Sequence, residues 1–117
     1  MGKEYFSWSE KIGGEVIMRI YISGGITGVE NYREAFSRAH EELTKGGHDV
    51  IDPALYADSL PKLSYEEYMK VGLYFLSMCD AIYMLKGWQK SCGANREYGY
   101  ALAMDKIILE EQDGLFS

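Results

Sequence analysis

The sequence has little cysteine, a shortage of positive charge and no long apolar run. Cys79 and Cys92 are its two cysteines. They form neither a metal-ligand spacing nor a C-x-x-C pair, so they read as reduced thiols of a cytoplasmic protein. Twelve Lys and Arg stand against eighteen Asp and Glu, a net charge of −6. That balance argues against a nucleic acid polymer as partner, because such binding needs a basic face. No apolar run approaches the length of a membrane span, and no basic-then-apolar leader opens the chain. Neither a metal, a cofactor nor a membrane is expected.

What is present describes a compact domain. Hydrophobic residues make up 47% and charged residues 26% of 117 positions, which suits one folded domain with a modest core. Residues 18–117 are expected to form it. Residues 1–17 are polar and glycine-containing, with isolated Tyr5, Phe6 and Trp8. They read as an upstream extension or cloning remnant, or else as an arm that packs on a partner subunit. Ten tyrosines are many for this length, and several fall near the candidate site.

The hydrophobic pattern alternates between strand and helix. Met18–Ile22 is rich in branched residues and reads as a strand, followed by the glycine-rich turn 23–28. Tyr32, Ala35, Phe36, Ala39 and Leu43 share one helical stripe that stops at Gly46-Gly47. Residues 48–51 form a short strand that Asp52-Pro53 ends. The segment from there to Leu63 reads as a loop that serves as a lid or site wall. Ser64-Tyr-Glu-Glu67 resembles a capping box. The helix after it turns Tyr65, Tyr68, Met69, Gly72, Phe75, Leu76 and Cys79 inward. Residues 80–85 and 106–109 complete the strands. His40 and His48 read as surface or capping residues rather than ligands. The whole predicts a three-layer α/β fold, flavodoxin-like or Rossmann-like. Its sheet is open and parallel, of four or five strands, with helices on both faces. Ligands of such sheets bind beyond the carboxyl ends of the strands.

The stretch 87–101 concentrates the chemistry. Ser91 and Gly93 stand where a helix begins, and free N–H groups with the positive dipole end would hold an anion there. Glu97 is the one acid on the inward face of that helix, and a buried carboxylate is costly unless paired or used. It is expected in a pocket at the strand ends. The topology brings Tyr21, Ser23 and Gly24 close to Ser91 and Glu97. Trp88 and Tyr98 are either stacking platforms for a base or ordinary core. The bland reading of Glu97 is a salt bridge to Arg96 or Lys106.

Ser91-x-Gly93-x-x-x-Glu97-x-Gly99-x-Ala101 resembles the signature of the nucleoside 2-deoxyribosyltransferase superfamily. Its spacing is nearest the branch that hydrolyses deoxynucleoside 5′-monophosphates. The run Arg19-Ile-Tyr-Ile-Ser-Gly-Gly-Ile-Thr-Gly28 is similar to that family's first strand and sugar-phosphate loop. Within the superfamily the run from Met18 to about Leu109 looks most like a small bacterial and phage branch. The resemblance implies a nucleoside or nucleotide as substrate and Glu97 as nucleophile at the anomeric carbon. It implies Tyr21 as the hydroxyl that orients Glu97, and Ser91 as a 5′-phosphate contact. Ser23, Gly24, Gly25, Trp88 and Gly93 complete the expected substrate-binding set. It also implies a homo-oligomer whose subunits complete each other's sites.

Two departures from the family pattern matter. Gly72 stands where the family carries an aspartate thought to assist the leaving base or bind the sugar. Glu66, Glu67 or Asp58 could replace it. Ile26 stands near the place of a basic residue in the monophosphate hydrolases, which weakens the 5′-phosphate expectation more than the nucleotide one. Two functions stay open: an N-glycosidic bond-cleaving or transferring enzyme, and a nucleotide-binding module that has lost turnover.

Overall fold

The computed structural model describes residues 17–112. Apart from Ile17, the expectation for residues 1–17 lies outside the described residues. Four strands, β1 (Arg19–Ser23), β2 (Asp49–Ile51), β3 (Ala81–Met84) and β4 (Ile107–Glu110), form one sheet in the order β2-β1-β3-β4. All three pairings are parallel. The helices are α1 (Tyr32–Lys45), α2 (Pro53–Tyr56), α3 (Tyr65–Ser77) and α4 (Cys92–Ala103). Strand order reverses between β1 and β3, the place where open α/β sheets leave a crevice at their carboxyl ends.

The period-two alternation of β1 divides the core. Ile22 joins Phe36 and Ala39 of α1, Ala54 of α2 and Leu85 on one face. Tyr21 joins Leu76 of α3, Cys79 just after it, and Ala94 and Ala101 of α4 on the other, with Ile82 and Met84 of β3. Ile20, Ile22, Ile82 and Leu76 are fully buried; each such side chain contributes about 1.5–3 kcal/mol relative to exposure. β1 is covered on both faces and flanked on both edges. Like β3, it is an interior strand of the sheet and a rigid place to mount a site.

Local signals set the helix starts. Ser64 accepts from the Glu67 N–H while Glu67 bonds back to the Ser64 N–H, a complete capping box for α3. Ser91 caps α4 by accepting from the Ala94 N–H at 3.1 Å.

Two expectations need correction. The segment after β2 is not a plain loop: it forms α2 and then a short 3-10 turn, Ala57–Ser59. Asp52 caps α2 through the Ala54 N–H, with Pro53 in the first turn, where a missing N–H costs nothing. A side chain that stops a strand thus starts a helix. Tyr65 is not inward but 47% exposed, because α3 begins at that residue and its first turn overhangs the core.

Candidate active site

Tyr21 and Ser23 are two apart on β1 and so project to the same face. Glu97, in the second turn of α4, reaches down to meet them. Tyr21 Oη donates to Glu97 Oε2 at 2.8 Å, and Ser23 Oγ donates to Oε1 at 2.6 Å. Each carboxylate oxygen thus receives one neutral hydroxyl. Arg96, the neighbouring cation, forks instead onto Glu66 at the surface, and Lys106 Nζ donates to the Ser77 carbonyl. The salt-bridge reading of Glu97 therefore does not describe this arrangement. Only 9% of Glu97 is exposed. Burial holds its carboxyl above the usual carboxylate range, and the two hydroxyls pull partly back. Tyr21 is pushed well above its ordinary value, first by burial and then by the Glu97 charge, so it stays a neutral donor.

The loops after β1 and β3 meet beside this cluster. Gly24 lies against Leu85: an added Cβ would come within 2.8 Å of Leu85 Cδ1, so only glycine fits without a shift. An added Cβ on Gly25 would stand 3.6 Å from Ser91 Cβ. Gly93 faces Met69 and Tyr65 of α3 in the same way, at 3.3 and 3.4 Å. Ser91 uses its acceptor as the α4 cap, which leaves its hydroxyl proton available. Trp88 sits in a 3-10 turn, 9% exposed, with its ring tilted on Tyr98 at a centroid distance of 4.6 Å. That is the packing of a core residue. Its buried Nε1 has no hydrogen-bond partner among the described residues.

Glu97 lies at the carboxyl end of β1, as expected, but nearly closed over rather than in an open pocket. Gly72 of α3 is the reason. A Cβ at that position would lie 2.7 Å from Tyr21 Oη, 2.9 Å from Glu97 Oε2 and 3.6 Å from Tyr56 Oη. The Tyr21 hydroxyl and the Glu97 carboxylate occupy the space that an acidic side chain would need. None of the three suggested replacements reaches it: Asp58 pairs with Arg33, Glu66 with Arg96, and Glu67 with the Ser64 backbone. Tyr56, at the end of α2, was not singled out from the sequence. Its hydroxyl lies 3.4 Å from Tyr21 Oη, and it stayed hidden because its segment read as loop.

A second feature lies on the α1 side. A groove of about 810 Å³ is lined by Arg33, Ser37, His40, Asp52, Leu55 and neighbours, none of them in the Glu97 cluster. His40 Nδ1 stands 2.9 Å from the buried Asp52 carboxylate, so His40 is a hydrogen-bond partner of Asp52 rather than a free surface residue. Among the described residues no group of three or more His, Cys, Asp or Glu is placed to hold a metal, and no helix is long and apolar enough to cross a membrane.

The four-stranded parallel sheet with its helices is an α/β fold of the deoxyribosyltransferase-like kind, as a match to a solved structure shows. The structure is similar to that of a 2-desoxiribosyltransferase from Leishmania mexicana, with a TM-score of 0.60 at 25% identity. The match covers 79% of this chain and 62% of that one, so the chain spans less than two thirds of that protein's length. The chain belongs to the family described as "Domain of unknown function (DUF4406)", whose profile matches residues 18–110. No curated protein matches the sequence.

Proposed function

We propose that this protein cleaves or transfers the N-glycosidic bond of a nucleoside or nucleotide, with Glu97 as nucleophile. One observation carries the reading. A buried glutamate at the carboxyl end of the central strand is held by two neutral hydroxyls, Tyr21 and Ser23, with Arg96 turned away to Glu66. Buried charges are usually paired with an opposite charge; Glu97 is instead oriented by two neutral hydroxyls. The likeness to a deoxyribosyltransferase supports the same class of reaction.

The chemistry follows from the charge. A carboxylate offers about four acceptor positions, of which Tyr21 and Ser23 take two. A remaining lone pair attacks the anomeric carbon as the bond from that carbon to the base nitrogen breaks. The bonding electrons leave with the base, which takes up a proton from water. The positive charge growing on the sugar is stabilised by the same carboxylate. Water or a second base then attacks the anomeric carbon, and the glycosyl–Glu97 ester bond breaks to return the carboxylate. Ser91 and the first N–H groups of α4 would hold the far side of the sugar or its phosphate.

Released base, measured over a panel of nucleosides and nucleotides, tests the reading. Release that disappears in Glu97→Gln supports it, and release untouched by that substitution rules out Glu97 as nucleophile. Gly72 favours a second reading, a nucleotide-binding module without turnover, since no acid assists the leaving base there. A ligand-induced rise in melting temperature with no base released from any compound would select it.

A homo-oligomer belongs to the same proposal. Tyr74 and Met78 of α3 and Leu102 and Met104 near the end of α4 are large, apolar and 42–65% exposed, a surface suited to a second copy. A monomer mass by light scattering at micromolar concentration would remove it.

A further inference from the structure

We infer that Tyr56 is a positioning residue for Glu97, acting through Tyr21. The inference rests on the role given to Glu97 above. Tyr21 has one hydroxyl proton, and that proton is spent on Glu97 Oε2. The contact between Tyr56 Oη and Tyr21 Oη therefore has one sense: Tyr56 donates and Tyr21 accepts. The result is a one-way chain, Tyr56 to Tyr21 to Glu97. A donor that itself accepts a hydrogen bond becomes a stronger donor, so Tyr56 strengthens the grip of Tyr21 on the carboxylate. Burial raises both phenols, so both protons are present at neutral pH.

Three further features make the chain a built arrangement. The Tyr56 ring packs on Phe75 of α3 with centroids 4.8 Å apart. Asp52 caps the single turn that carries Tyr56. Gly72 lets α3 approach so closely that the Tyr21, Glu97 and Tyr56 oxygens all converge on its missing side chain. Tyr21 is 1% exposed, whereas Tyr56 is only partly buried. Tyr56 is thus the end of the chain that lies nearer the surface. At 3.4 Å the Tyr56–Tyr21 contact is longer than a strong hydroxyl bond, so the effect is modest.

Tyr56→Phe tests this, because it keeps the ring on Phe75 and removes only the donor. The turnover number for base release should fall about fivefold, from the loss of one ordinary hydrogen bond. KM should hold. The acid limb of the pH–rate profile should move to higher pH, because a weaker Tyr21 donor stabilises the Glu97 carboxylate less. An unchanged turnover number and pH profile overturn the inference. If the unaltered protein releases no base at all, the enzyme reading fails separately. The positioning claim is then read from the Glu97 carboxyl titration by carbon-13 NMR, with the resonance assigned from Glu97→Gln. An upward displacement in Tyr56→Phe supports the chain, and coincident titrations overturn it.

Discussion

Among the described residues the two faces of the sheet each bury one carboxylate, and they do so differently. On the α1 side Asp52 is 6% exposed and meets the Ala54 N–H and His40. On the α3–α4 side Glu97 is 9% exposed and meets two neutral hydroxyls. Both satisfy the rule that buried polar groups find partners. Asp52 caps a helix and faces a group able to carry positive charge, which is how a carboxylate is made stable. Glu97 is oriented by two neutral hydroxyls, which suits the nucleophilic role proposed for it. Burial alone does not separate structure from chemistry; the charge of the partners does.

The sharpest way to break this contrast is to substitute both acids. Glu97→Gln should lower base release by about 10²–10³-fold or more, the cost of one preorganised electrostatic partner, with ground-state affinity little changed. Asp52→Ala should leave base release far less affected while lowering stability by about 2 kcal/mol, through loss of the α2 cap. Denaturant melts and base-release assays on the two variants check the pair. If Asp52→Ala were the more damaging to turnover, the assignment of the two faces would be reversed.

Gly72→Ala sharpens the comparison by crowding one face only. In an exposed helix interior this change would stabilise by about 1 kcal/mol. Here the new methyl would meet Tyr21 Oη and Glu97 Oε2, and overpacking costs about 1–3 kcal/mol. The net change should be destabilising by roughly 1 kcal/mol, with a drop in base release. A more stable variant with full activity would show that α3 does not press on Glu97.

The smallest effect is in the pH dependence of stability. The folded-state pKa of Glu97 lies above its ordinary value because of burial. Between those two values the folded chain keeps a proton that the unfolded chain has released. Stability from this residue is therefore present at lower pH and is lost as pH rises through that window. Glu97→Gln carries no such proton. The melting temperature of the unaltered protein minus that of the variant should fall as pH rises above the ordinary carboxylate range. A difference independent of pH would mean that the hydroxyls fully offset the burial.

Much of this was legible in the sequence where the signal was local. The β1 pattern, the α1 stripe, the Ser64 capping box and the Ser91 cap each depend on residues a few positions apart, and each is found in the structure. The inward face of α4 identified Glu97 as buried, and the parallel order brought it to β1. The Ser23 bond to Glu97 was less visible, although its two-residue spacing from Tyr21 contained the signal: one strand face serves both. Tyr56 gave no signal, because a single helical turn has too few residues to show a period.

The sequence by itself determined the alternation of strands and helices, the identity of the buried glutamate and the loops near it. Those follow from periodicity and caps, which act over a few residues. Only the tertiary structure decided what Glu97 touches. Its hydroxyl partners lie 74 and 76 positions away, and contacts at such separation depend on strand order and helix approach rather than on local preference. Gly72 is the clearest case. In the sequence it is the absence of a side chain, and in the fold it is the point where a helix backbone comes close enough to cover a carboxylate.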